Sequence, residues 1–177
     1  MKLLMPLLAA LFCLSNVQGD TSVNRTFFET AGVRFGVGEN RDSRVDGYEF
    51  FATSRSLTDW SLTRNLSASL HLEAGLGLLS HRSDDAFTAR LGAVVDFSYC
   101  GWPVHFVLAT NVAYLSDHTF GSLDLGSDFQ FLSSAGFDWH LSDRWILGYR
   151  WQHISNGGIT SVNPGLNLNA VSIGFRF

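Results

Sequence analysis

The sequence predicts an all-β fold, an eight-stranded antiparallel transmembrane β-barrel, and three observations carry that expectation. Apolar residues repeat with period two over segments of ten residues or more, aromatics crowd the ends of those segments, and helical signals are absent. The clearest segment places Ala68, Leu70, Leu72, Ala74, Leu76 and Leu78 on one parity, with Ser69, His71, Glu73, Gly75 and Gly77 on the other. Successive side chains of a strand point to opposite faces, so one face is apolar and the other polar or small. Strands of soluble sandwiches are typically about 5–6 residues long, whereas a tilted membrane strand needs roughly 9–11.

The first two strands are weaker copies, Ala31, Val33, Phe35, Val37 and then Tyr48, Phe50, Ala52. After the third, described above, come Phe87 to Phe97 and Val104 to Tyr114 on the same alternation. Phe129, Phe131, Ala135, Phe137 and Trp139 form the sixth, and Trp145, Leu147, Tyr149 and Trp151 the seventh. Val171, Ile173, Phe175 and the terminal Phe177 form the eighth. An even-numbered barrel with short periplasmic turns and longer outer loops places the outer loops at about Glu39–Asp46, Ser80–Ala86, Ser116–Gly126 and Asn156–Leu166. The periplasmic links are Tyr99–Pro103, Leu141–Asp143 and a longer one near Arg55–Asn65. Eight strands leave an interior filled by side chains, which argues against a general porin.

The chain opens with Lys2, an apolar run from Leu3 to Leu14 interrupted by Pro6, and the small-residue ending Val17-Gln18-Gly19. That is the organisation of a cleaved signal peptide over residues 1–19, leaving 20–177 as one barrel domain in the outer membrane of a bacterium. The net charge of −4 becomes −5 once Lys2 leaves, and no basic run exists to grip nucleic acid. Cys13 departs with the signal, so Cys100 is the one remaining thiol and no intramolecular disulfide can form.

One region breaks the barrel pattern. On strand seven the outward parity of Trp145, Leu147, Tyr149 and Trp151 continues to His153 and Ser155; on strand eight the parity of Val171 and Ile173 continues to Asn169 and Asn167. Two neighbouring strands therefore carry polar groups on their lipid-facing side near the outer rim. Polar groups in that band are costly unless paired, which makes function the default expectation. The His153 imidazole can take the Ser155 hydroxyl proton as the serine attacks an ester carbonyl. Asn167 could fix the imidazole tautomer by accepting from Nδ1–H, and Asn156 with the Gly157-Gly158 backbone could supply N–H groups to an oxyanion. The bland alternative is a pair of interfacial polar residues at a strand end followed by an Asn-Pro-Gly turn.

The run Tyr149-Arg150-Trp151-Gln152-His153-Ile154-Ser155-Asn156-Gly157-Gly158, followed by Asn163-Pro164-Gly165-Leu166-Asn167, resembles the C-terminal signature of the lipid A 3-O-deacylase family. The resemblance implies a membrane-embedded serine esterase that removes the 3-position acyl chain of lipid A without a cofactor. By position, Ser155 is the nucleophile and His153 the base, with Asn156, Gly158 and Asn163 forming or supporting the oxyanion hole. One position departs from the pattern: where the best-known members carry a glutamate, this chain has Asn167. The equivalent acid-to-amide change in a serine protease costs about 10⁴ in kcat, yet Cys-His-Asn proteases work.

The alternative is a small structural or adhesin-like barrel in which the motif turns nothing over, and Asn167 is the feature that favours it. A palmitoyl transferase barrel would need a lumen-facing site, against the parity here. Lipid A, or lipopolysaccharide, is the expected partner, and a homodimer is left open. His71 and His105 fall on the lumen parity and read as members of an interior hydrogen-bond network. His81 and His118 read as loop residues and His140 as a turn residue, so no metal site is expected from spacing. Arg41, Arg44 and Arg82 read as outer-loop charges.

Overall fold

The computed structural model describes residues 26–40, 43–82 and 84–177; the expected signal peptide and Arg41 lie outside them. Eight strands form the barrel: β1 (Phe28–Asn40), β2 (Ser43–Ser54), β3 (Leu66–His81), β4 (Asp84–Tyr99), β5 (Val104–Leu115), β6 (Phe129–His140), β7 (Trp145–Ser155) and β8 (Leu166–Arg176). Each pairs antiparallel with its sequence neighbour. The ring closes through β1 and β8, from Thr30↔Arg176 to Gly38↔Leu168. Closure leaves no barrel strand with an unpaired edge, the condition for crossing a bilayer with strands, because hydrocarbon offers no partner to a free backbone N–H or C=O.

The side-chain distribution is inverted relative to a water-soluble protein. Phe35, Phe50, Leu76, Leu91, Val112, Phe137, Leu147 and Ile173 stand exposed on the outside, while Arg34, Glu73, Arg90, Asn111, Arg150 and Gln152 are buried within. The buried arginines and glutamate among these are paired. Arg34 bonds Glu49 at 2.7 Å and Glu73 at 3.2 Å, Arg90 bonds Glu73 at 2.8 Å and also Glu49, and Arg150 bonds Asp138 at 2.7 Å. Two arginines sharing two glutamates neutralise one another, which is what allows ions to sit buried inside the barrel.

Toward the expected outer end the lumen turns apolar. Phe120, Leu123 and Leu125, from the connection between β5 and β6, are 0 % exposed and pack against Val45, Leu115, Leu132 and Leu166. That connection carries a two-stranded ribbon, Thr119–Phe120 against Leu123–Asp124, and folds inward to seal the mouth. The expected absence of a wide channel follows from this plug together with the ion network below it.

Two expected outer loops are much shorter than read from sequence. β1 and β2 extend to Asn40 and Ser43, and β3 and β4 to His81 and Asp84. Polar residues at strand ends look like loop in a sequence, but here the ladder continues, with His81↔Asp84 as its last pair. His81 is therefore a buried strand residue whose Nδ1 lies 2.7 Å from the Arg44 carbonyl oxygen. Arg44 is likewise a strand residue, paired with Asp46 at 3.0 Å, and Arg82 is the exposed residue in the hairpin that follows His81. The long link after β2 contains a short strand, Thr58–Ser61, which pairs with the start of β3.

Candidate active site

β7 and β8 form the hairpin that carries the expected site. Lumen-side Arg150, Gln152 and Ile154 are buried, whereas Trp145, Leu147, Tyr149 and Trp151 are exposed and His153 and Ser155 half-buried on the same outward side. On β8, Leu166, Leu168 and Ala170 are buried, and Asn167, Asn169 and Val171 exposed. The barrel pattern thus pins the orientation of the polar residues: rotating His153 inward would carry Trp151 and Tyr149 in with it.

His153 pairs in register with Asn167, and its Nδ1 lies 2.8 Å from Asn167 Oδ1. An amide oxygen only accepts, so Nδ1 carries a proton, and in the neutral ring Nε2 carries the lone pair. The ring is held from two further directions. Trp151 stacks on it with centroids 6.3 Å apart and planes 20° from parallel. Gly165, at φ +69°, lies beneath it so closely that a Cβ there would come within 2.9 Å of His153 Cε1. Asn169 does not compete for the imidazole, because its Oδ1 accepts the Tyr149 hydroxyl at 2.7 Å.

Ser155 shares the face of His153 two residues on, at the end of β7, where it pairs with Phe131. Its hydroxyl makes no hydrogen bond among the described residues, to His153 included. Hydrogen bonds of this kind are commonly long before substrate is bound. A second hydroxyl, which the sequence reading missed, is Ser133 on β6. It is exposed and directly across the ladder from His153, on the side opposite Asn167. Thr110 of β5 pairs in turn with Ser133, so Asn167, His153, Ser133 and Thr110 form a polar row across four strands. Register between distant segments is needed to find that row.

The connection from Asn156 to Gly165 is organised by Asn156, whose side chain is 0 % exposed. Its amide nitrogen shares two N–H groups among three acceptors, the Leu125 oxygen at 3.0 Å, Thr160 Oγ1 at 2.9 Å and the Val162 oxygen at 2.7 Å. Its Oδ1 accepts the Gly158 N–H at 2.9 Å, and its own backbone N–H donates to Asn163 Oδ1 at 3.1 Å. The three residues expected at the oxyanion hole are therefore brought together, but the Asn156 and Gly158 N–H groups bond inside the loop. Gly157 lies between them at φ +64°, with Phe131 packed so tightly that a Cβ would lie 2.8 Å from its ring. The Leu125 contact ties the loop to the lumenal plug, so the site rests on the barrel's apolar core.

A family model described as lipid A 3-O-deacylase (PagL) matches residues 46–176. Among solved structures the chain is similar to the outer membrane enzyme PagL, at 18 % identity and a TM-score of 0.64, covering 82 % of this chain and 99 % of that one. The N-terminal β-barrel domain of Pseudomonas aeruginosa OprF aligns at 12 % identity and a TM-score of 0.53, covering 84 % of this chain and 98 % of that one. Neisserial surface protein A aligns at 15 % identity and 0.51, covering 85 % and 96 %. No curated protein sequence matches the chain.

Proposed function

The chain belongs to the lipid A 3-O-deacylase (PagL) family of outer-membrane barrels, and from that membership we propose that it hydrolyses the 3-position ester of lipid A with Ser155, at a site on the lipid-facing surface of the barrel. The observation that carries this reading is the 2.8 Å contact between His153 Nδ1 and Asn167 Oδ1 on the outward face. It leaves Nε2 free as a base, and Ser155 stands on the same face. A substrate held among neighbouring lipids meets such a site by lateral diffusion, with its acyl chains already alongside the apolar band.

In the proposed reaction Ser155 Oγ attacks the ester carbonyl carbon while His153 Nε2 takes the hydroxyl proton. The tetrahedral oxyanion forms beside Asn156–Gly158, where the Gly157 N–H is the donor left once Asn156 and Gly158 have bonded within the loop. Asn156, Gly158 and Asn163 build and hold that loop. Collapse breaks the bond to the sugar oxygen, which leaves with the proton from His153 as the 3-hydroxyl. Water then adds to the acyl-serine with His153 again as base, releasing the fatty acid and restoring Ser155. Asn167 supplies no charge, so the imidazolium is stabilised only by the amide dipole and the contact on its ring.

Mass spectrometry of lipid A incubated with purified, folded protein tests the assignment. Wild type and Ser133→Ala are expected to remove one hydroxyacyl chain, and Ser155→Ala to lose at least about 10³ in rate. Loss of activity in Ser133→Ala with activity kept in Ser155→Ala would move the nucleophile to β6. Intact lipid A with the wild type would leave a structural barrel.

A further inference from the structure

At the end of the lumen opposite the candidate active site, three side chains from three strands converge: Asp96 near the end of β4, His105 near the start of β5, and His140 at the end of β6. We propose that they form a binding site for a divalent transition-metal ion of the zinc class, with a further coordination position open to the lumenal cavity.

One ligand atom from each residue lies within 4.8 Å of the other two. His105 Nδ1 is already 2.9 Å from Asp96 Oδ1, and the two imidazole rings have centroids 4.2 Å apart. Ligands at 2.0–2.2 Å around a tetrahedral ion stand about 3.4 Å from one another, so small side-chain rotations complete the set. Two imidazoles and a carboxylate are a donor set that suits zinc, and three protein ligands leave a fourth position for water. A second observation points the same way: His140 Nε2 is buried and has no hydrogen-bond partner among the described residues. A buried imidazole nitrogen without a partner is costly in an interior hydrogen-bond network and is what a metal ligand looks like.

The ion has room and a route. The three residues are only half-buried and line a cavity of about 320 Å³ that they share with Glu29, Ser98 and Arg176 near the strand ends. The charge balance is workable. Arg150 and Arg34, which line the same cavity, are neutralised by Asp138 and by Glu49 with Glu73, leaving Arg176, among the described lining arginines, as the one without a carboxylate partner. Bound, the ion would tie the ends of β4, β5 and β6 together on the side of the barrel facing the periplasm, displacing the proton between His105 and Asp96.

The test uses the untagged full chain, refolded in detergent and stripped with a chelator, titrated with Co²⁺ by visible absorption and then with Zn²⁺ in competition. One equivalent, with the intense bands of a four-coordinate cobalt ion and a Zn²⁺ Kd below about 10 µM, is the expected result. Asp96→Asn and His140→Gln should each weaken binding at least tenfold, and His118→Gln, which removes the histidine beside Asp124 and Asp128 in the outer connection, should leave it unchanged. No binding by the wild type, or binding that survives His140→Gln and disappears with His118→Gln, overturns the proposal. Should the lumenal variants fail to refold, X-ray absorption of the zinc-loaded wild type decides: two imidazoles and oxygen support the site, and fewer than two imidazoles refute it.

Discussion

Replacing Asn167 by aspartate should convert the proposed neutral orienter of His153 into a charged one without moving it. The side chains are isosteric, so the carboxylate oxygen should take the place of the Oδ1 that now lies 2.8 Å from His153 Nδ1. In the proposed reaction His153 accepts the serine proton, and the new ion pair at about 4 Å is then worth up to about 4 kcal/mol at an effective dielectric of 20. At about 1.4 kcal/mol per decade that is a ceiling near 10³ in kcat. His153 is half-buried and Asn167 exposed, and part of this stabilisation is already supplied by the amide, so the expected gain lies between about 10-fold and 10²-fold. A carboxylate near the outer rim should cost the barrel about 1 kcal/mol or less. Release of fatty acid from lipid A in mixed micelles, followed over time, gives kcat for wild type, Asn167→Asp, Asn167→Glu and Asn167→Leu. Asn167→Leu should fall well below wild type, since it removes the acceptor that fixes the tautomer. Rates equal within twofold in all four proteins would refute the contribution of the 2.8 Å contact.

Other perturbations probe the ring's setting and the barrel beneath it. Gly165→Ala places a methyl 2.9 Å from His153 Cε1 at φ +69°; a loss of about 1–2 kcal/mol in stability and of about 10–10² in kcat with little change in KM is expected from unfolding and rate measurements. Glu73→Gln leaves Arg34 and Arg90 with one carboxylate, Glu49, between them. Urea unfolding from lipid vesicles should report about 3–5 kcal/mol, and a change below about 1 would mean the cluster is solvated. Phe120→Ala opens the apolar plug at a residue that is 0 % exposed. It should cost about 3–5 kcal/mol and make the connections after β5 and β7 cleavable by protease while the barrel stays resistant.

The sequence by itself determined the barrel and the side of it on which the polar residues lie. Strand parity is a local property with a period of two, and a lipid-facing strand must show it residue by residue, so Trp151, His153 and Ser155 could be placed outward from one segment alone. Strand ends were less legible, because the polar residues around His81 obey the ladder without contributing to the apolar band. What only the tertiary structure decided depends on register and closure. These set Ser133 beside His153, Gly165 beneath its ring and Phe120 inside the lumen, and they make Asn156, expected to form or support the oxyanion hole, the hydrogen-bonding hub of its loop. The same holds for Asp96, His105 and His140. No spacing along the chain marks them as partners, since their proximity comes from three strands whose ends are brought together by pairing and the curvature of the closed sheet.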